Sequence, residues 1–236
     1  MILIVPDVHG RDFYVNALTA RPWDHIVFLG DYLDPYRHEF ITSETAIERF
    51  KEILAFKRAN AERVTLLLGN HDMHYSSDVV GDLACSSRYD YHNAKEIKRL
   101  FADNCDLFQL AWETTAGERR VLMTHAPVLQ SWLDANGAVV AECSAAALNG
   151  LLGDEAGERA LSQVGRLRGG FQAVGGPLWA DVREAELPGE LPQGVYQVFG
   201  HTQQPSDPII TDRYACLDCR RCFTLDDAGR IAAFDA

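Results

Sequence analysis

Two carboxylates three residues apart follow a glycine in the segment from Val27 to Asp34, where an apolar run stops at Gly30 and is followed by Asp31 and Asp34. In four other segments an apolar run also ends in side chains able to bind a metal ion. These segments supply Asp7 and His9, Asn70 and His71, His125, and His201. Carboxylate, amide and imidazole groups together can hold divalent cations. We therefore expect a metal site with Asp31 at its centre.

A pair of divalent ions needs one ligand that bridges them and further ligands for each ion. Asp7 and His9 can share one ion, because residues two apart project to the same side of an extended segment. The second ion can be completed by Asn70, His125 and His201, with Asp31 between the two ions. Any one of these histidines alone would more simply be a structural residue, and only the ordered set favours metal binding.

Short apolar runs without alternation predict strands that are buried on both faces: Ile2 to Val5, Ile26 to Leu29, and Val64 to Leu68. A helical segment follows the first run, and an amphipathic helix from Ser43 follows the second. This alternation predicts βαβ units with parallel strands. The carboxyl ends of such strands meet at one edge, where ligands bind, so we expect the site at that edge.

For the remaining segments the sequence predicts the type of each element and its approximate bounds. We expect an irregular loop or lid from Met73 to Tyr91, a helix from Asn93 to Cys105, and a hairpin of two strands, Phe108 to Thr115 and Arg119 to Thr124. A helical cap insertion at about 128–174 is expected to shape the substrate cleft. Another strand is expected from Tyr196 to Phe199. The chain should then close in an antiparallel run whose strands are Ile209 to Ile210, Tyr214 to Leu217, Cys222 to Leu225 and Ile231 to Phe234.

Composition narrows the class of protein. A chain of 236 residues with 47% hydrophobic content is long enough for one compact domain, and we expect 1–236 to form a single domain. The net charge of −12 disfavours a nucleic-acid polymer as partner. The first residues resemble no signal peptide, and no apolar stretch approaches the length of a membrane span. The expectation is a soluble, cytoplasmic protein without a membrane partner.

The spacing Cys216-x-x-Cys219-x-x-Cys222 is typical of zinc and redox motifs. A structural zinc ion needs four ligands, and no nearby cysteine or histidine supplies the fourth. Free thiols are the expected state, in keeping with a reducing compartment. A thiol-based sensor is the alternative, in which oxidants would change activity or oligomeric state.

The order Asp-x-His-Gly, Gly-Asp-x-x-Asp, Gly-Asn-His, His and Gly-His resembles the calcineurin-like metallophosphoesterases. Within that superfamily the chain is most similar to the phosphoprotein phosphatase branch, which includes bacterial and phage serine/threonine phosphatases and symmetrical diadenosine tetraphosphatases. Three further segments support the branch: Arg168 to Gly170, Gly176 to Asp181, and Ala215 to Asp218. The resemblance implies an α/β fold, a four-layer α/β/β/α sandwich with two mixed sheets, and two divalent metal ions, most often Mn²⁺ but also Fe or Zn²⁺.

The resemblance also assigns roles. Asp7, His9 and Asp31 would hold the first ion, and Asp31, Asn70, His125 and His201 would hold the second. His71 would be the general acid, and Asp34 would orient it and help keep it protonated. Phosphate esters would be hydrolysed by in-line attack of a metal-bridging hydroxide.

Two features depart from the branch pattern. The branch places Arg-Gly directly after its second aspartate, whereas Pro35-Tyr36 stands here. Arg37 and Arg168 are therefore the candidates for binding the substrate phosphate. Asp72 stands where the branch has glutamate, which is closer to the wider superfamily. Gln203, which we do not count as a ligand, replaces the second histidine of the wider superfamily, and this favours the phosphatase branch.

These features predict a metal-dependent phosphoesterase that acts on phosphoserine or phosphothreonine proteins or on small phosphomonoesters. The alternative is a dinucleoside polyphosphate hydrolase of the diadenosine tetraphosphate type, whose cleft must accept a nucleoside on either side of the scissile phosphate. A catalytically silent binding module on the same fold is disfavoured, because the chain keeps every ligand of the motif set. The expected partner is a phosphorylated substrate.

Overall fold

The structure is a computed structural model, and it describes residues 1–234. Its framework is a six-stranded and a five-stranded sheet. The first sheet has the spatial order β11-β10-β1-β2-β3-β4 and contains β1 (Ile2–Val5), β2 (His25–Phe28), β3 (Val64–Leu67), β4 (Phe108–Gln109), β10 (Phe223–Leu225) and β11 (Ile231–Ala233). The second has the order β5-β6-β7-β9-β8 and contains β5 (Ala111–Ala116), β6 (Arg119–Thr124), β7 (Tyr196–Phe199), β8 (Ile209–Ile210) and β9 (Tyr214–Cys216).

Both sheets mix parallel and antiparallel pairs. In the first sheet β1, β2, β3 and β4 are parallel, and β10 joins β1 in antiparallel orientation. In the second sheet β6, β7 and β9 are parallel, whereas β5 and β8 are antiparallel edge strands. The predicted α/β fold with two mixed sheets is therefore confirmed.

The first strands are buried on both faces, as their uninterrupted apolar sequences predict. In β1, Ile4 belongs to an apolar cluster between the sheets that includes Met123 of β6, whereas Leu3 and Val5 belong to a second cluster on the opposite face. That second cluster includes Phe50 of the long helix. A strand between two apolar layers gains little from alternation, which explains its sequence.

Nine α-helices are present among residues 1–234: α1 (Val15–Thr19), α2 (Ser43–Ala59), α3 (Asn70–Ser76), α4 (Asp78–Leu83), α5 (Ala94–Ala102), α6 (Gln130–Ala135), α7 (Ala145–Asn149), α8 (Glu155–Leu161) and α9 (Val182–Ala185). The longest, α2, begins after Thr42, whose side chain accepts a hydrogen bond from the Thr45 amide and so caps the helix. None of the helices described is both long and apolar enough to cross a membrane.

The predicted irregular segment from Met73 to Tyr91 is wrong over its first half, which forms the end of α3 and all of α4. Nearly every side chain of α3 is buried, including polar ones such as His74. Because polar groups take part in the burial, the helix has no apolar stripe that sequence periodicity could detect. The second half, after Leu83, lacks regular structure as far as the turn before α5.

The single strand predicted from Phe108 to Thr115 is also wrong, because its two halves belong to different sheets. β4 pairs with β3, while β5 pairs with β6. At the crossing, the amides of Leu110 and Ala111 donate to Asn149 Oδ1 at 2.8 and 2.9 Å. The side chain of Asn149 therefore replaces the strand partner that the crossing backbone lacks.

The closing strands do not form one antiparallel run. β8 and β9 join the second sheet, and β9 pairs in parallel with β7, while β10 and β11 join the first sheet. Local sequence predicted each strand but not its partner, since pairing depends on distant segments.

The segment predicted as a helical cap, 128–174, contains α6, α7 and α8. Side chains of all three helices, among them Trp132, Leu148 and Leu161, lie in the same apolar cluster as Leu122 of β6. Its neighbours Val121 and Met123 belong to the cluster between the sheets, so Leu122 lies on the outer face of the second sheet. The segment's division from the rest of a single domain, and its role as a cap, stay predictions.

Candidate active site

The six predicted metal ligands come from both sheets and meet at the ends of strands. Asp7 and His9 follow β1, and Asp31 follows β2. Asn70 is the first residue of α3, directly after β3. The second sheet contributes His125 after β6 and His201 after β7. Because these strands are parallel within each sheet, their carboxyl ends lie at one edge, and the packed sheets bring the two edges together.

Asp7, His9 and Asp31 form one buried group, whose potential ligand atoms all lie within 4.8 Å of one another. His9 Nε2 is 3.3 Å from Asp31 Oδ2. The other carboxylate oxygen, Asp31 Oδ1, lies 3.6 Å from His125 Nε2. Asp31 therefore faces both halves of the site, as its predicted bridging position requires.

The second group is equally close. His125 Nε2 lies 3.0 Å from both Asn70 Oδ1 and His201 Nδ1. His201 Nδ1 is 3.1 Å from the same amide oxygen. All three side chains are buried. The structure thus brings together every residue that the sequence predicted as a metal ligand.

The ring protons show what these groups can bind. His9 Nδ1 lies 2.8 Å from the carbonyl of Leu33, and His125 Nδ1 lies 2.9 Å from the carbonyl of Leu29. A carbonyl only accepts, so each Nδ1 carries the proton and each Nε2 of a neutral ring has a free lone pair. Those lone pairs face Asp31 and Asn70 oxygens, which are acceptors too. Acceptors that converge on one another fit divalent cations at this site.

Electrostatics keep the histidines of this site available as ligands. Burial lowers the pKa of His9 and of His201 well below the usual value, so both rings are neutral at neutral pH. Burial acts in the opposite direction on the carboxyl groups. At Asp31 the surrounding histidines outweigh burial and lower the pKa, whereas at Asp7 burial prevails and raises the pKa. Neutral imidazole and ionised carboxylate are the protonation states that metal binding requires.

The glycines of these motifs allow the close approach. A Cβ atom on Gly69 would overlap Asp31 Oδ1, and a Cβ on Gly200 would overlap Asp7 Oδ2. Any larger residue at either position would push a carboxylate out of the site.

Several site residues have left-handed backbone conformations that side chains other than glycine rarely adopt. The φ angles are 45° for His9, 54° for Asp31, 57° for Asp34 and 61° for His201. Such conformations cost about 1–3 kcal/mol each and persist where the surroundings impose them. Their concentration at the strand ends marks this region as functional.

Asp72, the departure from glutamate, joins two of the motif loops. Its buried carboxylate accepts hydrogen bonds from the amides of Asp31 at 2.7 Å, Tyr32 at 3.0 Å and Gly69 at 2.8 Å. Asp72 therefore stabilises the turns that carry Asp31 and Asn70. It has a structural role that a shorter carboxylate can fill.

The predicted acid pair lies beside the metal-ligand set. His71 Nδ1 is 2.7 Å from Asp34 Oδ2, and the Tyr75 hydroxyl donates to Asp34 Oδ1 at 2.6 Å. Burial opposes ionisation of Asp34, but the hydrogen bond with His71 and the close contact with His74 outweigh it and lower the pKa of this carboxyl group. The opposite ring nitrogen, His71 Nε2, contacts Arg88 near the cleft.

Sequence reasoning missed Arg88. Its Nη2 lies 2.8 Å from His71 Nε2 and 3.4 Å from His9 Nε2, and its guanidinium carbon is 3.6 Å from the centre of the Tyr36 ring. Arg88 belongs to no motif. The sequence contains only an indirect indication. Pro35-Tyr36 stands where the phosphoprotein phosphatase branch has Arg-Gly, so an arginine from another segment is needed to bind the phosphate.

The two arginines chosen from the sequence differ in position. Arg168 lines the cleft, where its Nη2 donates to the His201 carbonyl at 3.1 Å and its Nε lies 3.1 Å from Asp181 Oδ2. Arg37 is exposed and is not among the residues that line the cleft. Arg88 is better placed than Arg37 to bind a phosphate.

The cleft above the ligands has a volume of about 320 Å³ and contains both Arg88 and Arg168. A neighbouring groove of about 510 Å³ shares Arg168 and Trp179 with it and continues past Phe171. The cleft can hold a phosphoryl group, and the groove leaves room for the rest of a larger substrate.

The cysteine motif does not form a metal site within residues 1–234, since the two clusters of potential ligands found there contain no cysteine. Cys216 lies in β9 of the second sheet, and Cys222 precedes β10 of the first. All six cysteines are free thiols.

Comparison with known proteins agrees with this geometry. A family model described as calcineurin-like phosphoesterase matches residues 1–142, more than half of the chain. The catalytic subunit of serine/threonine-protein phosphatase 6 from Drosophila melanogaster is 23% identical over 207 residues, covering 85% of this chain and 56% of that protein. The chain thus spans little more than half the length of this relative.

Among solved structures, a protein serine/threonine phosphatase from Saccharomyces cerevisiae with similarity to human phosphatase PP5 matches with a TM-score of 0.55 at 14% identity. The match covers 100% of this chain and 79% of the yeast chain, and it shows a shared fold. With the family match over 1–142 and the strand-end motifs in their expected order, the chain belongs to the calcineurin-like phosphoesterase family.

Proposed function

We propose that this protein is a metal-dependent phosphoesterase that hydrolyses phosphate monoesters, including phosphoserine or phosphothreonine in proteins. One observation carries the proposal: converging acceptor atoms around Asp31 lie in the same cleft as the His71–Asp34 pair and two arginines. Family membership and the serine/threonine phosphatase relative support the reaction class.

The site fits two divalent ions, with Mn²⁺ as our first choice and Fe or Zn²⁺ as alternatives. Asp7, His9 and Asp31 would hold one ion. Asp31 would also bind the second ion, together with Asn70, His125 and His201. Bound ions would stabilise negative charge on the phosphoryl oxygens and lower the pKa of coordinated water.

The chain's own residues would bind the substrate and move the proton. Arg88 and Arg168 carry permanent positive charge and would bind the phosphoryl oxygens through paired N–H groups. In the structure Arg88 donates to His71 Nε2, so that nitrogen is free to take up a proton once Arg88 turns to the phosphate. Asp34 fixes the ring through Nδ1, which lets Nε2 deliver its proton to the leaving oxygen.

The dinucleoside polyphosphate alternative is not favoured, because the relative that matches over most of the chain is named as a serine/threonine phosphatase. A cytoplasmic location stays a prediction, which fractionation of cells would test.

The proposal is tested by loading the purified protein with Mn²⁺, Fe²⁺ or Zn²⁺ and measuring bound metal by mass spectrometry. Each form is then assayed with p-nitrophenyl phosphate, phosphoserine and phosphothreonine peptides, and diadenosine tetraphosphate. We expect two ions per chain and hydrolysis of the monoesters with at least one metal. Hydrolysis of diadenosine tetraphosphate alone would overturn the proposed substrate class, and inactivity of every loaded form would overturn the activity.

A further inference from the structure

His74 makes a contact that the motif set does not include. It lies one helical turn after His71 on α3, so both rings project from the same side of the helix. His74 Nε2 is 3.0 Å from Asp34 Oδ2, the same oxygen that contacts His71. Its side chain is completely buried.

The proton on the His74 ring is located by its other nitrogen. The backbone amide of Ser86 donates to His74 Nδ1 at 3.2 Å, so Nδ1 accepts. A neutral imidazole that accepts at Nδ1 carries its proton at Nε2. That N–H lies 3.0 Å from Asp34 Oδ2, a close polar contact rather than a well-aligned hydrogen bond.

Both oxygens of Asp34 are thereby held by α3. His74 and His71 face Oδ2, and the Tyr75 hydroxyl donates to Oδ1. Rotation of this carboxylate would separate it from both imidazoles, so the donors act together to fix its plane. The direction of the Asp34 oxygens in turn decides where His71 Nε2 lies in the cleft.

His74 also connects this pair to the segment that carries Arg88. The Ser86 amide contacts His74, the Ser86 hydroxyl lies 3.2 Å from His71 Nε2, and the Arg88 amide donates to the same hydroxyl at 3.3 Å. The His74 ring packs edge-on against the stacked rings of Tyr75 and Tyr89, with centroids 4.3 and 5.0 Å away. Replacing His74 by an apolar ring should therefore disturb the His71–Asp34 pair more than it disturbs the packing.

We propose that His74 is a positioning residue, which holds the Asp34 carboxylate in the orientation that directs His71 toward the leaving group. This inference rests on the proposed function, in which His71 is the general acid. It assigns no substrate contact to His74. The expected signature is dependence on the leaving group, because an alkoxide needs a proton on departure far more than p-nitrophenolate does.

The test compares His74→Phe, which keeps the ring but has no N–H, with His74→Gln, whose side-chain amide can still donate toward Asp34. Both are assayed as metal-loaded proteins with a phosphoserine peptide and with p-nitrophenyl phosphate. Loss of this polar contact with a charged carboxylate predicts about a tenfold lower kcat for the peptide in His74→Phe. With p-nitrophenyl phosphate, we expect His74→Phe to keep kcat within about threefold of the unmodified protein. His74→Gln should keep kcat within the same range for both substrates.

The matched control is His25→Phe. His25 stacks on Trp112 with ring centroids 4.6 Å apart and lies at the start of β2, at the opposite end from Asp31. We expect its variant to affect both substrates equally. An equal loss on both substrates in His74→Phe, or no loss, would overturn the inference. If His74→Phe does not fold, His74→Asn replaces it, since its oxygen can accept from the Ser86 amide but the side chain is too short to reach Asp34.

If the proposed function is wrong, the unmodified protein will itself hydrolyse neither substrate in any metal-loaded form. That result separates failure of the proposed function from failure of the inference about His74. Nitrogen-15 NMR of the histidine rings then tests the positioning role without activity. We expect the His71 Nδ1–H signal to shift in His74→Phe and to be kept in His74→Gln. An unchanged signal in both variants would overturn the role of His74.

Discussion

Two clusters of aspartate and histidine side chains lie side by side in this protein, and their ring protons suit them to different partners. Asp7, His9 and Asp31 form one, and Asp34, His71 and His74 form the other; in each the potential ligand atoms lie within 4.8 Å of one another. Both clusters are buried. By residue type and distance alone, either could hold a metal ion.

The difference lies in the direction of the ring protons. In the first cluster the His9 proton points outward to the Leu33 carbonyl, so its lone pair faces the carboxylates. In the second cluster Ser86 and Arg88 donate to the outer nitrogens of His74 and His71, so the protons point inward to Asp34. No ring proton lies between the acceptors of the first cluster, which therefore fits cations, whereas in the second cluster ring N–H groups already point toward the shared carboxylate.

The largest expected effect comes from removing the shared carboxylate of the first cluster. Asp31→Asn should lower kcat/KM by roughly 10³-fold or more, because a lost metal ion removes several kcal/mol of transition-state stabilisation. Bound metal should fall below two ions per chain by mass spectrometry. Full metal content with full activity would show that the acceptor atoms around Asp31 do not hold the ions.

His71→Asn tests the second cluster, where the expected loss is in proton transfer alone. We predict that kcat falls by about 10²–10⁴, the usual range for loss of a general acid. Metal content should stay as in the unmodified protein, which separates this variant from Asp31→Asn. An unchanged kcat with a phosphoserine peptide would remove His71 from the acid role.

Arg88→Ala removes the cation that contacts both clusters, through His71 and His9. A charge-assisted hydrogen bond to phosphate contributes about 1.5–3 kcal/mol, so kcat/KM should fall about ten- to hundredfold. Inhibition by inorganic phosphate should weaken in parallel. The matched variant is Arg37→Ala on the exposed loop, and a larger loss there would restore Arg37 as the phosphate-binding residue.

The smallest expected effect is that no third metal ion binds in the second cluster. Titration of the unmodified protein with excess Zn²⁺, followed by removal of free metal, should leave two ions per chain, because the inward protons of the second cluster would have to be displaced. A third ion that disappears in His74→Phe would contradict the distinction drawn between the clusters.

Part of the site follows from local sequence. Apolar runs that end in Asp, Asn or His predict strands with polar ends, and parallel strands bring those ends to one edge, so Asp7, Asp31 and Asn70 could be chosen without a structure. The same reasoning failed for α3 and Arg88. The side chains of α3 are buried although polar, and Arg88 reaches the cleft from a segment without regular structure.

Local sequence was enough to predict most of the strands, the order of their polar ends and the types of ligand, since these depend on residues close in the chain. Which imidazole can bind a cation and which donates a proton depends on the folded chain. That choice is made by partners from other segments: the Leu29 carbonyl is 96 residues from His125, and Arg88 is 17 residues from His71. Hydrogen bonds to such distant groups fix the position of each ring proton, and no local pattern of residues encodes them.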